Sequence, residues 1–345
     1  MAAGSFLVTG ATGFLGRHML ELLRDQDVGH QLYPLVRNPE SWSDEAWTSE
    51  LGEVNLVKGS VTDFDALDAA LGDTHLTGMF HFAALVRHSR KDSEEVYETN
   101  VEGTLNMVRL AAKKGCRLIF VSTSGTVGVF DKLDEWADEE SPYLEKKVKK
   151  WPYYHSKVVA EQKARALAAE LGVELVIIRP PILLGPGDHR FRSSGHIIRV
   201  MRGKLPFLLR GGIHFVDIRD ATQAIWAAMN HAAPKPVYHV HGTACSIDTF
   251  FDMVKDASGV APPGWHLPVS VPWVLAQITG GIDRLKPGKD LSILPNPVVI
   301  EMAGKYWDVR SRYAKEDLNF VPREASETLN DTVAWLRAHH PKLSE

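Results

Sequence analysis

One stretch near the N-terminus restricts the fold of this chain more than any other. An apolar run over residues 6–8 leads into three glycines, Gly10, Gly13 and Gly16, and then into apolar residues at helical spacing. This order predicts a buried strand, a tight turn and a helix start. Glycines at such a turn let the backbone close, let a pyrophosphate approach and let the helix pack on its strand, and the free N–H groups of the helix start attract phosphate. The stretch therefore predicts an α/β fold with a dinucleotide site, and an ordinary structural turn is the alternative.

Predicted strands and helices continue to alternate along the chain after this stretch, which also indicates an α/β fold. A doubly wound parallel sheet binds its ligand at the carboxyl ends of the strands, so residues that follow those strands become candidates for cofactor contact. The small side chains of Ala83 and Ala84 would let a cofactor backbone pass close by. The predicted contacts in this part of the chain are Gly10, Thr12, Gly13, Phe14, Leu15, Gly16, Arg37, Ser60, Val61, Ala83 and Ala84.

Arg37 bears on the choice between the two nicotinamide cofactors. It follows the second predicted strand, about 20 residues beyond the glycines, where an acid holds the ribose 2′-hydroxyl of NAD and an arginine accommodates the 2′-phosphate of NADP. The position therefore favours NADP(H) over NAD(H). A solvated arginine at a strand end is the alternative.

Two further clusters suggest a site for proton transfer. Hydroxyls gather over residues 122–126, directly after the fifth predicted strand, although such a cluster taken alone more often serves a turn or a helix cap. Tyr153 and Lys157 are four residues apart on one predicted helix, so both side chains project from the same face. A lysine ammonium near a phenol favours the phenolate, so this spacing predicts a lowered pKa for Tyr153.

Composition and sequence pattern argue against several other classes of protein. The net charge of −4 provides no basic field for nucleic acid, and the two cysteines, Cys116 and Cys245, cannot form a disulfide framework. No basic and apolar leader and no apolar run of membrane-spanning length is present, so we expect a cytoplasmic protein without a membrane span. His81 has no ligands at metal spacing around it, and we expect no metal.

The β/α rhythm loosens after about residue 185. We therefore expect a dinucleotide-binding domain over residues 1–185 and a substrate-binding lobe over 186–345, with some segments of the second part returning to the first. Residues 262–297, which are rich in proline, glycine and apolar side chains, form either a substrate lid or a hydrophobic support.

Taken together, these motifs resemble the extended short-chain dehydrogenase/reductase superfamily over residues 5 to about 340. The glycine turn, the His81 to Ala84 stretch, and the segment that begins at Asn100 are similar to its signatures. The resemblance implies a Rossmann-like fold and an active site of Ser124, Tyr153 and Lys157 supported by Asn100. Tyr153 and Lys157 would also contact the cofactor, as would Pro180 and Ile182. It further implies a homodimer formed through a four-helix bundle of residues 93–114 and 152–171.

In this superfamily, Tyr153 would exchange a proton with the substrate oxygen and Ser124 would hydrogen-bond that oxygen. Lys157 would hold the nicotinamide ribose. The residues after Ser124 depart from the usual valine-tyrosine-glycine pattern, since Thr126, Val127 and Gly128 stand there, and this leaves Thr123 as an alternative hydroxyl.

Two reaction classes compete within the superfamily. Ile182 replaces the asparagine with which nucleotide-sugar enzymes meet a diphosphate, which favours a reductase acting on a carbonyl or secondary alcohol of a largely apolar small molecule, like the dihydroflavonol reductase and hydroxysteroid dehydrogenase branches. The alternative is an NAD-dependent nucleotide-sugar epimerase or dehydratase, whose diphosphate could be met by the arginines Arg190, Arg192, Arg199 and Arg202. A redox sensor or scaffold that lost its chemistry is a third hypothesis, opposed by the presence of Tyr153 and Lys157.

Overall fold

A seven-stranded parallel sheet forms the centre of the molecule. The computed structural model describes residues 3–26, 29–43, 45–91, 93–274, 296–340 and 343. The strands of the sheet lie in the order β11, β7, β5, β4, β1, β2, β3, and every neighbouring pair is parallel. The order turns back on itself between β1 and β4, which is where a doubly wound sheet opens a crevice for ligand. The predicted Rossmann-like α/β class is confirmed.

The strands of this sheet are β1 (Ser5–Thr9), β2 (Gln31–Val36), β3 (Val57–Lys58), β4 (Gly78–His81), β5 (Arg117–Val121), β7 (Leu175–Arg179) and β11 (Val237–His239). Shorter strands form three small sheets: β6 (Val129–Phe130) with β14 (Tyr306–Trp307); β8 (Ile182–Leu184), β10 (Gly212–Asp217) and β12 (Thr243–Ser246); β9 (Leu208–Leu209) with β13 (His266–Leu267).

The helices of the first part of the chain are α1 (Phe14–Asp25), α2 (Glu40–Ser43), α3 (Phe64–Leu71), α4 (Ser93–Tyr97), α5 (Gly103–Lys114), α6 (Glu145–Val148) and α7 (Pro152–Leu171). They are followed by α8 (Gly195–Met201), α9 (Ile218–Asn230), α10 (Ile247–Ser258) and three later helices over Pro297–Ala303, Tyr313–Leu318 and Ala325–His339. Short 3₁₀ segments cover Ala46–Leu51 and Ser124–Thr126.

Amphipathic helices cover both faces of the sheet. Helix α1 turns Leu15, Met19 and Leu23 into the core, where they join residues of β1 and of α9 in one apolar cluster. The opposite face is covered by α5, whose Met107 and Leu110 are fully buried. Two-sided burial explains why the strand sequences read as continuous apolar runs.

The long helix predicted over residues 93–114 is interrupted in the middle. Residues Glu98–Glu102 form a π-helical turn between α4 and α5, centred on the buried Asn100. A single π turn inserts one extra residue and is common at functional sites. In this turn the Asn100 side chain points toward the loop that follows β4 and hydrogen-bonds Leu85 there.

The second part of the chain contributes to the central sheet as well as to a lobe. Strand β11 extends the sheet beside β7, and α9 packs beside α1 on its face, with the Trp226 ring 5.5 Å from that of Phe6. The lobe itself forms around α8, α10 and the helix Ala325–His339. The boundary at residue 185 stays a prediction.

Part of the segment 262–297 is described. His266 and Leu267 pair with β9, and Trp273 Nε1 donates to Glu301 (2.9 Å). Residues 275–295 lie outside the described residues, so the choice between lid and support is untested. Across the described ranges, we find no helix that is both long and apolar enough to cross a membrane.

Candidate active site

The glycine turn after β1 has the geometry that the sequence predicts. Gly10 has a φ of +66°, and a Cβ there would lie 2.8 Å from the backbone nitrogen of Ala83. A Cβ on Gly16 would lie 2.2 Å from the carbonyl oxygen of Gly10, so no larger residue lets α1 pack so closely on the turn. The turn also closes through a hydrogen bond from the Gly13 N–H to the same carbonyl oxygen (2.8 Å).

This cradle suits a dinucleotide phosphate. The first turn of α1 begins at Gly13 with no side-chain cap, which leaves backbone N–H groups and the positive end of the helix dipole for a phosphate. Arg37 is exposed at the end of β2. Val61 is buried where a Cβ on Gly103 would touch it at 2.7 Å, and Ser60 Oγ lies 2.8 Å from Thr62 Oγ1.

A buried hydrogen-bond chain holds the ends of β1 and β4 together. The Thr104 hydroxyl donates its one proton to the carbonyl of Asn100 (2.7 Å). It must therefore accept from His81 Nε2 (3.1 Å). Because Nε2 carries the proton of the neutral ring, His81 Nδ1 accepts from the hydroxyl of Thr9 (2.8 Å). Burial lowers the pKa of His81 to about 3, with a smaller contribution from Lys157. The ring is therefore neutral, and its hydrogen bonds join β1 and β4 to the first turn of α5.

Ser124 and Tyr153 come from elements that pack against each other. Ser124 begins the 3₁₀ turn after β5, and its N–H donates to the carbonyl of Pro180 (2.9 Å). In that turn a Cβ on Gly125 would lie 2.2 Å from Cε1 of Tyr154, the neighbour of Tyr153 in the first turn of α7. The sequence-predicted serine and tyrosine thus reach the same edge of the sheet.

The hydroxyls of Thr123 and Ser124 are used differently. Thr123 Oγ1 accepts from the N–H of Gly125 (3.3 Å) and so caps the turn. Ser124 is buried, and we find no hydrogen bond from its Oγ to another described residue. Ile182 is 39% exposed at the start of β8, where it pairs with Phe215 of β10.

Lys157 lies deep in the site. Its Nζ donates to the carbonyl of Val121 (3.0 Å) and lies 4.7 Å from the ring centroid of Phe120. Burial lowers the pKa of Lys157 to about 8, while Glu161 opposes that shift. Burial also raises the pKa of Tyr153 to about 12. This direction is opposite to the one predicted from the spacing of Tyr153 and Lys157, because burial disfavours the charged phenolate.

Asn100 supports the site through backbone contacts. Its Oδ1 accepts from the N–H of Leu85 (2.8 Å), and its Nδ2 donates to the carbonyl of Leu85 (3.2 Å) and to Ser156 Oγ (3.0 Å). The side chain therefore ties the loop after β4 to the first turns of α7, the helix that carries Tyr153.

A buried ion pair one turn beyond Lys157 was not predicted. Arg179 donates to both carboxylate oxygens of Glu161, with the shortest contact 2.6 Å from Nη2 to Oε2, and also donates to His239 Nε2 (3.2 Å). Tyr143 Oη donates to the same carboxylate (3.0 Å). Burial alone would raise the pKa of Glu161, but the charge and hydrogen bonds of Arg179 outweigh burial and hold it below its ordinary value.

Two aromatic rings, those of His88 and Tyr154, pack against the Tyr153 ring. The ring of His88 stands edge-on to it at 5.6 Å and stacks on Tyr154 at 6.1 Å, and Tyr154 in turn packs on Trp307 at 5.1 Å. His88 Nδ1 is buried and has no hydrogen-bond partner among the described residues. We call His88, Tyr153, Tyr154, Trp151 and Trp307 the aromatic cluster.

These features together place a glycine cradle, a buried lysine and a tyrosine at the carboxyl edge of a parallel sheet. Residues 6–240 match the profile of the NAD dependent epimerase/dehydratase family, which covers well over half of the chain. The chain belongs to this family. It is accordingly an NAD(P)-dependent oxidoreductase of the extended short-chain dehydrogenase/reductase type, and the resemblance predicted from sequence is confirmed.

Two relatives and one solved structure match this chain over nearly its whole length. A putative dihydroflavonol 4-reductase of Synechocystis sp. is 29% identical over 347 residues, covering 98% of this chain and 96% of the relative. The sterol demethylase protein B of Methylococcus capsulatus is 26% identical, covering 96% of this chain and 98% of the relative. The crystal structure of gox2253 superimposes with a TM-score of 0.79 at 28% identity, covering 98% and 99% of the two chains.

Among the described residues, no group of three or more His, Cys, Asp or Glu side chains is placed to hold a metal ion.

Proposed function

We propose that this protein is an NADP(H)-dependent reductase of a carbonyl group carried on a largely apolar small molecule. The observation that carries this proposal is the aromatic cluster, because the rings of His88 and Tyr154 pack against Tyr153 and Trp307 packs behind Tyr154. Such a wall suits flat, apolar substrates, with His88 Nδ1 available to a second polar group. The names of the two relatives, a dihydroflavonol reductase and a sterol protein, support the same substrate class.

The chain's own residues have distinct tasks in this reaction. The glycine turn, Arg37, Val61 and Ala83 would hold the dinucleotide, whose nicotinamide supplies a hydride when bound. Tyr153 would donate its proton to the carbonyl oxygen, and a pKa raised to about 12 keeps that proton on the phenol at neutral pH. The Oγ of Ser124, which no described residue uses, would hydrogen-bond the same oxygen and hold it beside Tyr153.

Arg37 should decide the preference for NADPH. We expect Arg37→Asp to raise the Kd for NADPH by about tenfold or more, because a charge-assisted contact with the 2′-phosphate becomes a repulsion. The Kd for NADH should change little, and Lys132→Asp, at another exposed position, serves as the control for net charge. Fluorescence titration measures both constants. Equal affinity of the wild-type protein for NADH and NADPH would show that Arg37 does not read the 2′-phosphate.

The second candidate function is that of a nucleotide-sugar epimerase or dehydratase, since the matching family is described as an epimerase/dehydratase family. Arg199 is exposed on α8, where a diphosphate could meet it. A thermal-shift and inhibition screen with cofactor present separates the two. We expect turnover of aromatic or steroid-like ketones or aldehydes and no effect of UDP, GDP or dTDP. A nucleoside diphosphate that stabilises the protein and competes with substrate, without turnover of any apolar carbonyl, would favour the epimerase.

The homodimer through residues 93–114 and 152–171, and the cytoplasmic location, belong to the same proposal. On that helical face the π-helical turn and α7 present Glu102 and Lys163, and Glu102 Oε1 lies 3.9 Å from Lys163 Nζ within one chain. A dimer interface here would be polar at its rim.

A further inference from the structure

A short segment of the second half of the chain crosses back to the glycine turn. Residues 186–191, which we call the strap, follow β8, and the carbonyl of Pro186 lies 2.9 Å from Nε2 of His18 on α1. A Cβ on Gly187 would lie 3.0 Å from the same histidine atom and 3.7 Å from Phe14. The strap thus rests on the first turns of the helix whose N-terminus faces the phosphate cradle.

The far end of the strap is fixed to the lobe. The buried carboxylate of Asp188 accepts from three consecutive backbone N–H groups, those of Arg192, Ser193 and Ser194. The ring of His189 packs edge-on against Trp335 at 5.0 Å. Phe191, with a φ of 50°, packs against His340 at 4.7 Å. Contacts at both ends therefore hold the intervening residue, Arg190, in one place.

Arg190 points its charge at the glycine turn. Its Nη2 donates to Oγ1 of Thr12 (3.0 Å), 178 positions earlier in the chain. Together with Arg17 it lines a cavity of about 20 Å³ beside Gly13 and Phe14. Arg17 is paired with Glu21 (2.7 Å), yet its Nη1 is buried without a hydrogen-bond partner among the described residues.

The carboxylates around this cavity do not neutralise Arg190. Glu45 also lines the cavity and accepts from Trp47 Nε1 (3.3 Å). Within the described part of the chain, no carboxylate oxygen forms an ion pair with Arg190. A guanidinium that is positioned from both sides and lacks an anionic partner suits a phosphate ligand.

We propose that Arg190 is a cofactor-binding residue that contacts the pyrophosphate of the nicotinamide dinucleotide across the glycine turn. The strap then closes the cradle from the substrate lobe, so cofactor binding and the placement of the lobe are coupled. This assignment rests on a nicotinamide dinucleotide as the cofactor, and it depends neither on the 2′-phosphate nor on the substrate. It also removes Arg190 from the arginines available to a sugar nucleotide.

The test is a pair of fluorescence titrations with NADH and NADPH. We expect Arg190→Met to raise both dissociation constants by the same factor, about 3- to 10-fold, since the pyrophosphate is common to both ligands. Arg190→Lys, which keeps the charge, should retain most of the affinity. Lys204→Met removes an exposed positive charge just after α8 and should leave both constants unchanged. Raising the salt concentration should weaken binding by the wild-type protein more than by Arg190→Met.

Two results would overturn the assignment. Unchanged affinities for NADH and NADPH in a variant with a wild-type melting temperature would show that Arg190 only braces the strap through Thr12. A loss confined to NADPH would place the guanidinium on the 2′-phosphate instead. Neither result bears on the proposed substrate class, which the ketone and nucleotide screen tests separately.

Discussion

Tyr153→Phe should abolish most turnover while leaving the cofactor bound. The phenylalanine ring keeps the packing against His88 and Tyr154, so only the proton-donating hydroxyl is lost. Loss of a positioned general acid typically costs 10² to 10⁴ in rate, and we expect a fall in kcat of about that size. The Kd for NADPH should stay within about twofold of the wild-type value, because cofactor binding does not need that proton.

The adjacent tyrosine provides a matched control. Tyr154 is the same residue type on the same helix turn, and its ring packs against Gly125 and Trp307. Tyr154→Phe should therefore keep most of the activity. Stopped-flow absorbance of NADPH at saturating substrate measures the chemical step in both variants. Full turnover by Tyr153→Phe, or an equal loss in the two variants, would remove Tyr153 from the proton-transfer role.

The largest effect on stability is expected from Glu161→Ala. The substitution leaves Arg179 buried with its charge unpaired, and breaking a buried ion pair in this way costs about 3–5 kcal/mol of unfolding free energy. The pKa of Glu161 is held below its ordinary value, so the pair stabilises the fold at neutral pH, and its contribution is lost as the pH falls below the ordinary value of a glutamate through the lowered one.

Urea unfolding followed by tryptophan fluorescence measures this loss through the shift of the midpoint. Glu170→Ala, at an exposed position of the same helix, should change the free energy by less than about 0.5 kcal/mol. The double variant Glu161→Leu with Arg179→Met should recover most of the stability, since apolar replacement removes both charges. A loss below about 1 kcal/mol in the single variant would mean that water reaches the Arg179 guanidinium.

Local patterns were sufficient to predict the cradle and the helix that carries Tyr153. The three glycines, the end of β4 and the Tyr153 to Lys157 spacing each lie within a few residues, and the structure places them at one sheet edge. The strand and helix order follows from the same periodicity, although that periodicity does not show that β3 is only 2 residues long. The roles of these site residues stay predictions until the variants are measured.

Contacts between distant segments were not predictable from such patterns. The Glu161 to Arg179 pair joins a helix to the end of the next strand, and Arg190 reaches Thr12 across 178 positions. No periodic pattern in the sequence links the two residues of either pair. The prediction of a lowered pKa for Tyr153 was wrong for a related reason. Spacing shows that Lys157 shares a helix face with the phenol, but not that the phenol is buried or that Lys157 Nζ donates to the carbonyl of Val121.

The late position of α9 and β11 in the chain has a consequence for synthesis on the ribosome. Residues 1–185 supply six of the seven strands, but residues 218–239 cover the part of the Phe6 face beside α1 and the free edge of β7. At a translation rate of 5–20 residues per second, those elements follow residue 185 by roughly 3 to 10 s. During that interval the nascent chain exposes an apolar face and an unpaired strand, which are the surfaces that promote aggregation. Slower growth at low temperature with abundant chaperone should therefore raise the yield of folded enzyme more than any change at its active site.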